Sequence, residues 1–409
     1  MRALLTFLLW AAVAQTACPQ ILREEVTLAV WDLGDSRQRR VVLEAVAPAQ
    51  RTRAGLVVNC VSFPGADPYR QIHLWCQPGA RGVPDLVVVR DAWLPDFAAY
   101  FEPLNALLNA TDLRPIPESV RARLRHAGNL YGVPWQANAR VLFYRSDLFD
   151  QAGLLAPRTW AEVLAAARRL HDPPNRWGFG LPGVRDSGAA ELLLNLLWAQ
   201  GKDLPPLGQS PLAFPTDALT SAMQTYQDLH AVAEPEVLSW DQPGLEEQFL
   251  NRRVAMLVAD KHFQDRIAGT DPTFPAATAP LPSDVAPVGQ ISVDLVCLFK
   301  SSAHREAAVH VLRTLTGYPS ASRLLALGGI PCHSQLIAEN RLRPPYASYL
   351  AAIEQARGLP RERWEGIREA LEEGLLYLLT GRNTPAEAVE VVRQRLYAPP
   401  PASPVSARQ

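Results

Sequence analysis

Three short, wholly apolar segments of this chain run into acidic residues, and aromatic residues stand beside two of them. The segments are residues 26–30 (VTLAV), followed by Trp31 and Asp32, residues 86–89 (LVVV), followed after one arginine by Asp91 and Trp93, and residues 254–258 (VAMLV), followed after one alanine by Asp260 and Lys261. Such continuous apolar runs are typical of buried parallel strands, and ligands of open α/β sheets bind beyond the carboxyl ends of these strands. A cleft lined by carboxylates and flat rings suits a neutral polyhydroxy ligand such as a sugar.

The rest of the chain alternates between apolar strand candidates and helices, which predicts an α/β fold. The further expected strands are residues 56–61, 141–144 and 295–299. Helix starts are predicted at Thr159 and Thr384, which begin capping boxes, and at Ser302. Residues 191–198 (ELLLNLLW) are apolar nearly all round, which indicates a buried helix. Loops are expected over residues 201–216 and 272–290.

Composition excludes several classes of function. The 409 residues favour two domains, and the formal net charge of −1 gives no electrostatic reason to expect nucleic-acid binding. No cysteine or histidine spacing resembles a metal site, so neither a metal nor a cofactor is expected. Cys60, Cys76, Cys297 and Cys332 would form one or two disulfides in an oxidising compartment, or remain four buried thiols.

The N-terminus is typical of an export signal. Arg2 precedes an apolar stretch at residues 3–14 that is too short to span a bilayer, and Cys18 follows a few residues later. Cleavage after Ala14 or Ala17 would release a soluble exported protein. Cleavage before Cys18 would give a lipoprotein anchored through that thiol, and the preceding residues resemble a lipobox except at Gln15. Residues 1–18 are therefore interpreted as an export signal that ends in a possible lipobox, and its processing would leave a periplasmic or surface-anchored protein.

Several segments, in order along the chain, resemble bacterial extracellular solute-binding proteins of sugar ABC importers, the group that includes maltose- and trehalose-binding proteins. The segments are residues 82–95 (GVPDLVVVRDAWLP), 130–135 (LYGVPW), 141–149 (VLFYRSDLF), 153–160 (GLLAPRTW), 249–256 (FLNRRVAM) and 328–331 (GGIP). Each segment alone is a weak signal, whereas their shared order is a strong one.

The resemblance implies a periplasmic-binding-protein fold of type II, like that of maltose-binding protein, with two α/β lobes that close about a hinge. The N-terminal lobe would comprise residues 19–140 and 294–345, and the C-terminal lobe residues 141–293 and 346–398, with a disordered tail over 399–409. Crossings are expected near residues 138–142, 292–295 and 342–364. The four remaining cysteines would all lie in the N-terminal lobe. A monomer that delivers its ligand to a membrane permease is expected.

The family pattern also indicates where ligand contacts should lie, and where this chain departs from it. Relatives usually have an aspartate where Asn138 stands, a tryptophan near Asp260 and Lys261, and a Gly-Gly-Trp segment near Asp294. The candidate ligand-binding residues are Trp31, Asp32, Asp91, Trp93, Trp135, Asn138, Arg140, Trp198, Trp240, Asp260, Lys261 and Asp294. Structural roles compete for several of them: Asp32 and Asp91 could cap helices, Trp198 could belong to the core, and the new charges could pair between lobes.

Three classes of function follow. The leading hypothesis is a non-catalytic importer receptor for a carbohydrate, by default an α-glucoside or other oligosaccharide, with a non-sugar polar ligand as an alternative. An exported glycoside hydrolase would need two carboxylates flanking the scissile bond, and no nucleophile elbow, metal motif or phosphate loop supports an enzyme. A sensor or scaffold of the same fold would present its ligand to a membrane receptor without import.

Overall fold

The computed structural model describes residues 23–31, 36–63, 68–183, 187–205, 213–236, 238, 240–285, 287–344, 346–360 and 364–397. The predicted export signal with Cys18, the candidate Asp32 and the tail over 399–409 lie outside the described residues. In the described part of the chain, no helix combines the length and apolar character that crossing a membrane requires.

Strands and helices alternate as the sequence predicts. The strands are β1 (Glu24–Trp31), β2 (Leu56–Phe63), β3 (Leu86–Arg90), β4 (Arg125–His126), β5 (Asn129–Leu130), β6 (Gly132–Ala139), β7 (Val141–Arg145), β8 (Met256–Ala259), β9 (Ala276–Ala279), β10 (Gly289–Leu298) and β11 (Ala356–Gly358). The helices are α1 (Ser36–Thr52), α2 (Pro68–Trp75), α3 (Leu94–Phe97), α4 (Ala110–Leu113), α5 (Glu118–Arg121), α6 (Ser146–Ala152), α7 (Trp160–Leu170), α8 (Ser187–Ala199), α9 (Thr216–His230), α10 (Gln242–Leu250), α11 (Lys261–Thr270), α12 (Arg305–Leu315), α13 (Tyr318–Ala326), α14 (Ser334–Asn340), α15 (Ala347–Glu354), α16 (Trp364–Leu379) and α17 (Pro385–Tyr397).

The N-terminal lobe is built on a mixed sheet with the strand order β11-β10-β3-β1-β2, to which β6 adds by pairing with β10. The pairs β1–β2 and β1–β3 are parallel, and β10 runs antiparallel to both β3 and β6. The apolar residues of β1 and β3 are almost fully buried, as their continuous apolar sequences predict. The carboxyl ends of β1 and β3 therefore open at one edge of this sheet.

The C-terminal lobe has a smaller antiparallel sheet in the order β8-β7-β9. Helix α8 is surrounded by α9 and α16 and is buried along nearly its whole length, which confirms the prediction of a buried helix over residues 191–198. A second hydrophobic core gathers the helices of this lobe. The first core extends from the N-terminal sheet to Phe249 and Phe263, so the two lobes share apolar contacts.

Two of the three predicted helix starts have the expected capping bonds. The Glu162 N–H donates to Thr159 Oγ1 (3.1 Å), and the Thr384 N–H donates to a carboxylate oxygen of Glu387 (2.8 Å). The prediction at Ser302 is wrong, because α12 begins only at Arg305. The Ser302 hydroxyl instead donates to the Asp85 carboxylate (2.5 Å), which fixes the loop that precedes the helix.

The chain crosses between the lobes at three places. The first crossing is at Arg140, between β6 and β7, within the predicted range. The second precedes β10, which joins the N-terminal sheet from Gly289 onward rather than from residue 292. The third follows β11 near Leu359, because α15 packs on β10 and β6. Residues 346–358 therefore pack with the N-terminal lobe, and the crossing near Leu359 lies inside the predicted range 342–364 but later than the predicted lobe boundary at residue 346.

The four cysteines of the described residues are free thiols, which corresponds to the second of the two alternatives drawn from the sequence. Cys76, Cys297 and Cys332 are buried, and Cys60 is partly buried. Burial raises the pKa of the Cys76 thiol to about 11, and burial also raises that of Cys60 to about 11 despite the nearby Arg39. These thiols are therefore poor nucleophiles at neutral pH, since the thiolate is the reactive form.

Close packing at the second crossing gives a test of the lobe assignment. A Cβ added at Gly289 would lie 2.1 Å from the carbonyl oxygen of Ala352 in α15, so Gly289→Ala must displace backbone. We expect it to lower the free energy of unfolding in urea by about 1–3 kcal/mol. Gly366→Ala is the matched control, because its Cβ would meet nothing within 4 Å in α16 and should stabilise slightly. An unchanged midpoint for Gly289→Ala would contradict the packing of α15 on β10.

Candidate functional site

A cleft of about 360 Å³ lies between the two lobes. The N-terminal lobe contributes the ends of β1 and β3, the middle of β6 and β10, and the loop before α14. The C-terminal lobe contributes the first turns of α11. The cleft is therefore at the carboxyl ends of the first and third strands, where the apolar-run pattern places a ligand.

Four polar side chains form the floor of the cleft. Gln136 and Asn138 alternate along β6, and Ser292 and Asp294 alternate along β10, so each pair lies on one face of its strand. The antiparallel register sets Gln136 opposite Asp294 and Asn138 opposite Ser292. Their neighbours on both strands are buried. We call these four residues the polar floor.

Asp294 is the ionisable member of the polar floor. Its carboxylate accepts a hydrogen bond from Gln136 Nε2 (3.2 Å). Burial raises the pKa of Asp294 above its ordinary value, and the nearby Asp91 charge acts in the same direction, while Arg90 only partly opposes them. The partly buried carboxylate lines the cleft, where hydroxyl groups of a ligand could donate to it.

Asp260 joins the C-terminal lobe to the polar floor. One carboxylate oxygen accepts the His262 N–H (2.9 Å) and so caps α11, and the other accepts a bond from Asn138 Nδ2 across the cleft (2.8 Å). Burial opposes the ionisation of Asp260, but the charges of His262 and Arg140 and these two hydrogen bonds outweigh it and lower the pKa.

The carbonyl oxygen of the Asn138 amide, Oδ1, can still accept a hydrogen bond. In the described part of the chain, Asn138 Oδ1 is buried and has no hydrogen-bond partner. An unsatisfied buried acceptor in a cleft is costly unless a ligand or water donates to it. Asn138 Oδ1 and the Asp294 carboxylate together make the floor rich in acceptors.

Lys261 forms one wall of the cleft. Its side chain is buried and its Nζ lies 2.5 Å from Asp265 Oδ1. The same ammonium lies 5.9 Å from the centroid of the Tyr346 ring, which belongs to the N-terminal lobe. Lys261 therefore reaches across between the lobes, and Asp265 holds it there.

Two tryptophans of the N-terminal lobe, Trp31 and Trp135, also line the cleft. Trp31 is partly exposed to the cleft, and the Trp93 ring packs behind it at a centroid distance of 5.6 Å. The Arg90 guanidinium lies 5.6 Å from the Trp93 centroid. Trp135 also lines the cleft but is only 7% exposed. Trp31 is thus the ring with an accessible face, supported from behind by Trp93.

Three predicted residues lie away from the cleft. Asp91 is buried and accepts bonds from the Arg123 guanidinium and the Val293 N–H, so it fixes β10 against β3. Trp198 is fully buried in the C-terminal core, with Nε1 bonded to Asp203 (2.9 Å). Trp240 is partly buried against the first core. An acid after an apolar strand, such as Asp91, or a tryptophan at the end of an apolar helix, such as Trp198, can equally well have a structural role.

Arg140, the remaining candidate, belongs to the hinge. Its guanidinium pairs with Glu191 of α8 (2.6 Å), and the same carboxylate oxygen accepts Gln290 Nε2 (2.8 Å). Asn195 Nδ2 in turn donates to Gln290 Oε1 (2.5 Å). Arg140 and Gln290 stand at the first and second crossings, so Glu191 binds both hinge strands to the C-terminal lobe. We call these four residues the hinge network.

The sequence reasoning missed several residues that line the cleft: Arg90, Gln136, His262, Asp265 and Ser292. Alternation of polar with apolar residues in 132–139 and 289–298 was a usable signal for two of them, since it marks a half-exposed strand. Among the described residues, no cluster of histidine, cysteine and acidic side chains could hold a metal ion.

Comparison with known proteins gives the family. A family model described as bacterial extracellular solute-binding protein matches residues 40–320. A Brucella abortus (strain 2308) protein named as a binding protein is 26% identical over 239 residues, which cover 56% of this chain and 57% of the relative. The chain thus spans just over half the length of that relative. The mannitol-binding protein of Pseudomonas aeruginosa is 36% identical over 101 residues, 24% of this chain and 23% of that protein.

Solved structures give the fold. The cyclic α-maltosyl-1,6-maltose binding protein of Arthrobacter globiformis superposes with a TM-score of 0.77 at 18% identity, covering 91% of this chain and 98% of that one. Maltose-bound MalE3 of T. maritima gives 0.74 at 20% identity, again over 91% and 98%. The two-lobe fold predicted from the sequence is thereby confirmed.

Asp294 and Asp260 should respond to pH with opposite signs. Burial raises the pKa of Asp294, so the folded protein holds that proton more tightly than the unfolded chain and loses stability as the pH rises above about 4. Asp294→Asn should therefore unfold at higher urea than the wild type at about pH 7, with the gain vanishing in acid.

Asp260→Asn provides the matched comparison. The pKa of Asp260 is lowered, so its contribution to stability is present above about pH 4 and disappears as the pH falls through the folded-state pKa. Asp260→Asn should destabilise at neutral pH and converge with the wild type in acid. If both variants shift in the same direction at neutral pH, the assigned electrostatic roles are incorrect.

Because Glu191 connects both hinge strands to α8, we expect its removal to lower the free energy of unfolding strongly. Glu191→Ala leaves the mostly buried Arg140 guanidinium without its carboxylate partner, and we expect a loss of about 3 kcal/mol in the free energy of unfolding. A double-mutant cycle with Arg140→Ala should show strong coupling. The control is Glu390→Ala, whose pair with Arg393 is exposed and should barely change the midpoint. Additive single effects would rule out the pairing.

Proposed function

Because this chain belongs to the bacterial extracellular solute-binding protein family, we propose that it captures a neutral carbohydrate or polyol between its lobes and delivers it to the membrane permease of an ABC importer. The observation that carries the proposal is the polar floor, which lies in the cleft between the lobes and includes one buried acceptor without a partner, Asn138 Oδ1. The match to the Brucella relative covers just over half of that protein, so the interaction with a permease is also part of the proposal.

A polyhydroxy ligand fits the groups present. The carboxylate of Asp294 and the Oδ1 of Asn138 accept hydrogen bonds, and Ser292 can both accept and donate. The partly exposed Trp31 ring offers a flat apolar face for ligand C–H groups. Relatives named for mannitol, maltose and ribitol binding support the same ligand class.

Binding would act through the lobe equilibrium. The polar floor and α11 belong to different lobes, so a ligand that contacts both is bound more tightly when the lobes are closed. A ligand shifts such an equilibrium only by its difference in affinity for the two states. The Asn138–Asp260 bond already joins the lobes, which lowers the reorganisation that the ligand must drive.

Catalysis is not part of the proposal. The family is one of binding proteins, and two of the carboxylates that a hydrolase could use have structural partners. Asp91 is engaged with Arg123 and the Val293 N–H, and Asp260 with its helix cap and Asn138. A general acid needs an available proton and access to the scissile bond, and neither group offers both.

Membrane anchoring is a further part of the proposal, and the extracellular family and the N-terminal sequence support it. The family is extracellular, and we propose that Cys18 carries a lipid that tethers the mature protein near its permease. A single acyl chain binds membranes only weakly, whereas the multiple chains of a lipoprotein hold firmly. The receptor would function as a monomer.

Calorimetry on the exported, processed protein tests the proposal. Hexitols, hexoses, disaccharides, amino acids and organic acids would be titrated in turn, and at least one carbohydrate or polyol should bind. Asp294→Asn should weaken that binding about ten- to hundredfold, since it removes a charged acceptor. Asp217→Asn, an exposed position in α9, is the matched control and should bind as the wild type does.

Other results would redirect the assignment. Binding confined to a charged ligand would favour the alternative of a non-sugar polar solute, for which Arg90 and Asp265 in the cleft provide opposite charges. Loss of binding in Asp217→Asn equal to that in Asp294→Asn would show that the effect is not local to the polar floor.

A further inference from the structure

We infer that the cleft takes a single six-carbon polyhydroxy unit, a hexose or a hexitol, and excludes a second sugar ring. The inference rests on the proposed carbohydrate function and narrows it. Three observations support this size limit: the volume of the cleft, the number of accessible aromatic faces in it, and a wall formed by Lys261 and Tyr346 on one side.

The volume corresponds to one unit. A cavity of about 150 Å³ accommodates benzene, or about 25 Å³ for each non-hydrogen atom. On that scale, a cleft of 360 Å³ takes about 14 non-hydrogen atoms. A hexose or hexitol has about 12 such atoms and a disaccharide about 23, so the volume matches one unit and a second ring would extend beyond it.

The aromatic lining also fits one unit. Trp31 is the partly exposed tryptophan among the described residues of the cleft, and Trp135 is covered except for a small edge. Trp93 contributes by supporting Trp31 from behind rather than by presenting its own face to the cleft. The described part of the cleft therefore presents one accessible tryptophan face, which is enough to stack against one sugar unit.

Lys261 and Tyr346 close one side. The buried Lys261 ammonium is held by Asp265 and lies near the face of Tyr346 from the other lobe. The Tyr346 hydroxyl donates to the Leu325 carbonyl oxygen (3.3 Å), which fixes the ring against α13. Lys261 lines the cleft, so this lysine–tyrosine wall bounds the cleft on that side, with Tyr346 behind the lysine.

The loop before α14 limits the cleft on the N-terminal side. The Ala137 N–H of β6 donates to the Ile330 carbonyl oxygen (2.9 Å), so the loop is attached directly to the strand that carries the polar floor. A Cβ at Gly329 would lie 2.4 Å from Leu324 Cδ1, which shows that the loop packs tightly on α13. Little room can be gained by moving it outward.

Calorimetry with a size series tests the inference. The processed protein would be titrated with mannitol, glucitol, glucose, mannose, maltose, trehalose and maltotriose. We expect binding by at least one single unit, and affinity at least about tenfold lower for every disaccharide and for maltotriose. The comparison of hexitols with hexoses distinguishes a linear from a cyclic ligand.

Lys261→Ala should relax the size limit. Removing the side chain opens the wall toward Tyr346, so affinity for a disaccharide should rise relative to that for the matching single unit. Lys202→Ala is the matched control, since Lys202 is exposed outside the cleft and should leave the ratio unchanged. Circular dichroism and a thermal melt verify that each variant is folded.

The outcomes separate the two proposals. A disaccharide or maltotriose that binds the wild type as tightly as any single unit overturns the size inference and leaves the carbohydrate function standing. Absence of binding by every sugar and polyol overturns the carbohydrate function itself. If Lys261→Ala fails to fold, the wild-type size series still decides the inference.

Discussion

The antiparallel pairing of β6 with β10 is the interaction on which the rest of the structure depends. These strands carry the polar floor, and their outer ends lead into the first and second crossings between the lobes. Gly132 starts β6 so close to Cys297 and the Val296 carbonyl oxygen of β10 that a Cβ would lie 3.0 Å from each. Because Ala139 pairs with Ile291 at the hinge end, the pairing holds the polar floor in register up to the crossings between the lobes.

The two acidic residues near this strand pair, Glu191 and Asp294, differ in how far their burial is compensated by hydrogen bonds. In the hinge network, one oxygen of the Glu191 carboxylate is bound by both Arg140 and Gln290, so its burial is compensated by charge-assisted hydrogen bonds. In the polar floor, Asp294 has one amide donor and a raised pKa, so its burial is only partly compensated. The first arrangement stabilises the empty protein. Under the proposed function, the second would be compensated further by hydroxyl groups of a bound ligand.

The sequence predicted the large features because they depend on local patterns. Continuous apolar runs placed β1, β3 and β8, and capping boxes placed the starts of α7 and α17. Asp260 and Lys261 could be singled out because they directly follow such a run. Gln136 and Ser292 could not be paired from sequence, because their juxtaposition depends on the register of strands more than 150 residues apart.

The same limit explains the residues whose surroundings differ from expectation. Asp91 follows an apolar strand just as Asp260 does, and only the position of Arg123 shows that its carboxylate holds β10 instead of facing the cleft. The third crossing lies later than residue 346 because α15 finds its packing surface on β10, a long-range contact with no local signature. Trp198 was ambiguous for a related reason, since a buried helix end and a cleft wall can share one sequence.

Two positions at which the sequence departs from the family pattern, residues 138 and 260, are in direct contact in the structure. Asn138 stands where relatives usually have an aspartate, and Asp260 stands where they usually have an aromatic residue. The two side chains meet across the cleft at 2.8 Å, with the amide donating to the carboxylate. An aspartate at 138 would place a second negative charge against Asp260 and raise the pKa of one of them. The amide avoids that repulsion and leaves Oδ1 as an uncharged acceptor. The negative charge at this contact thus stands on Asp260 of the C-terminal lobe, where it also caps α11, and Asn138 leaves an uncharged acceptor on β6.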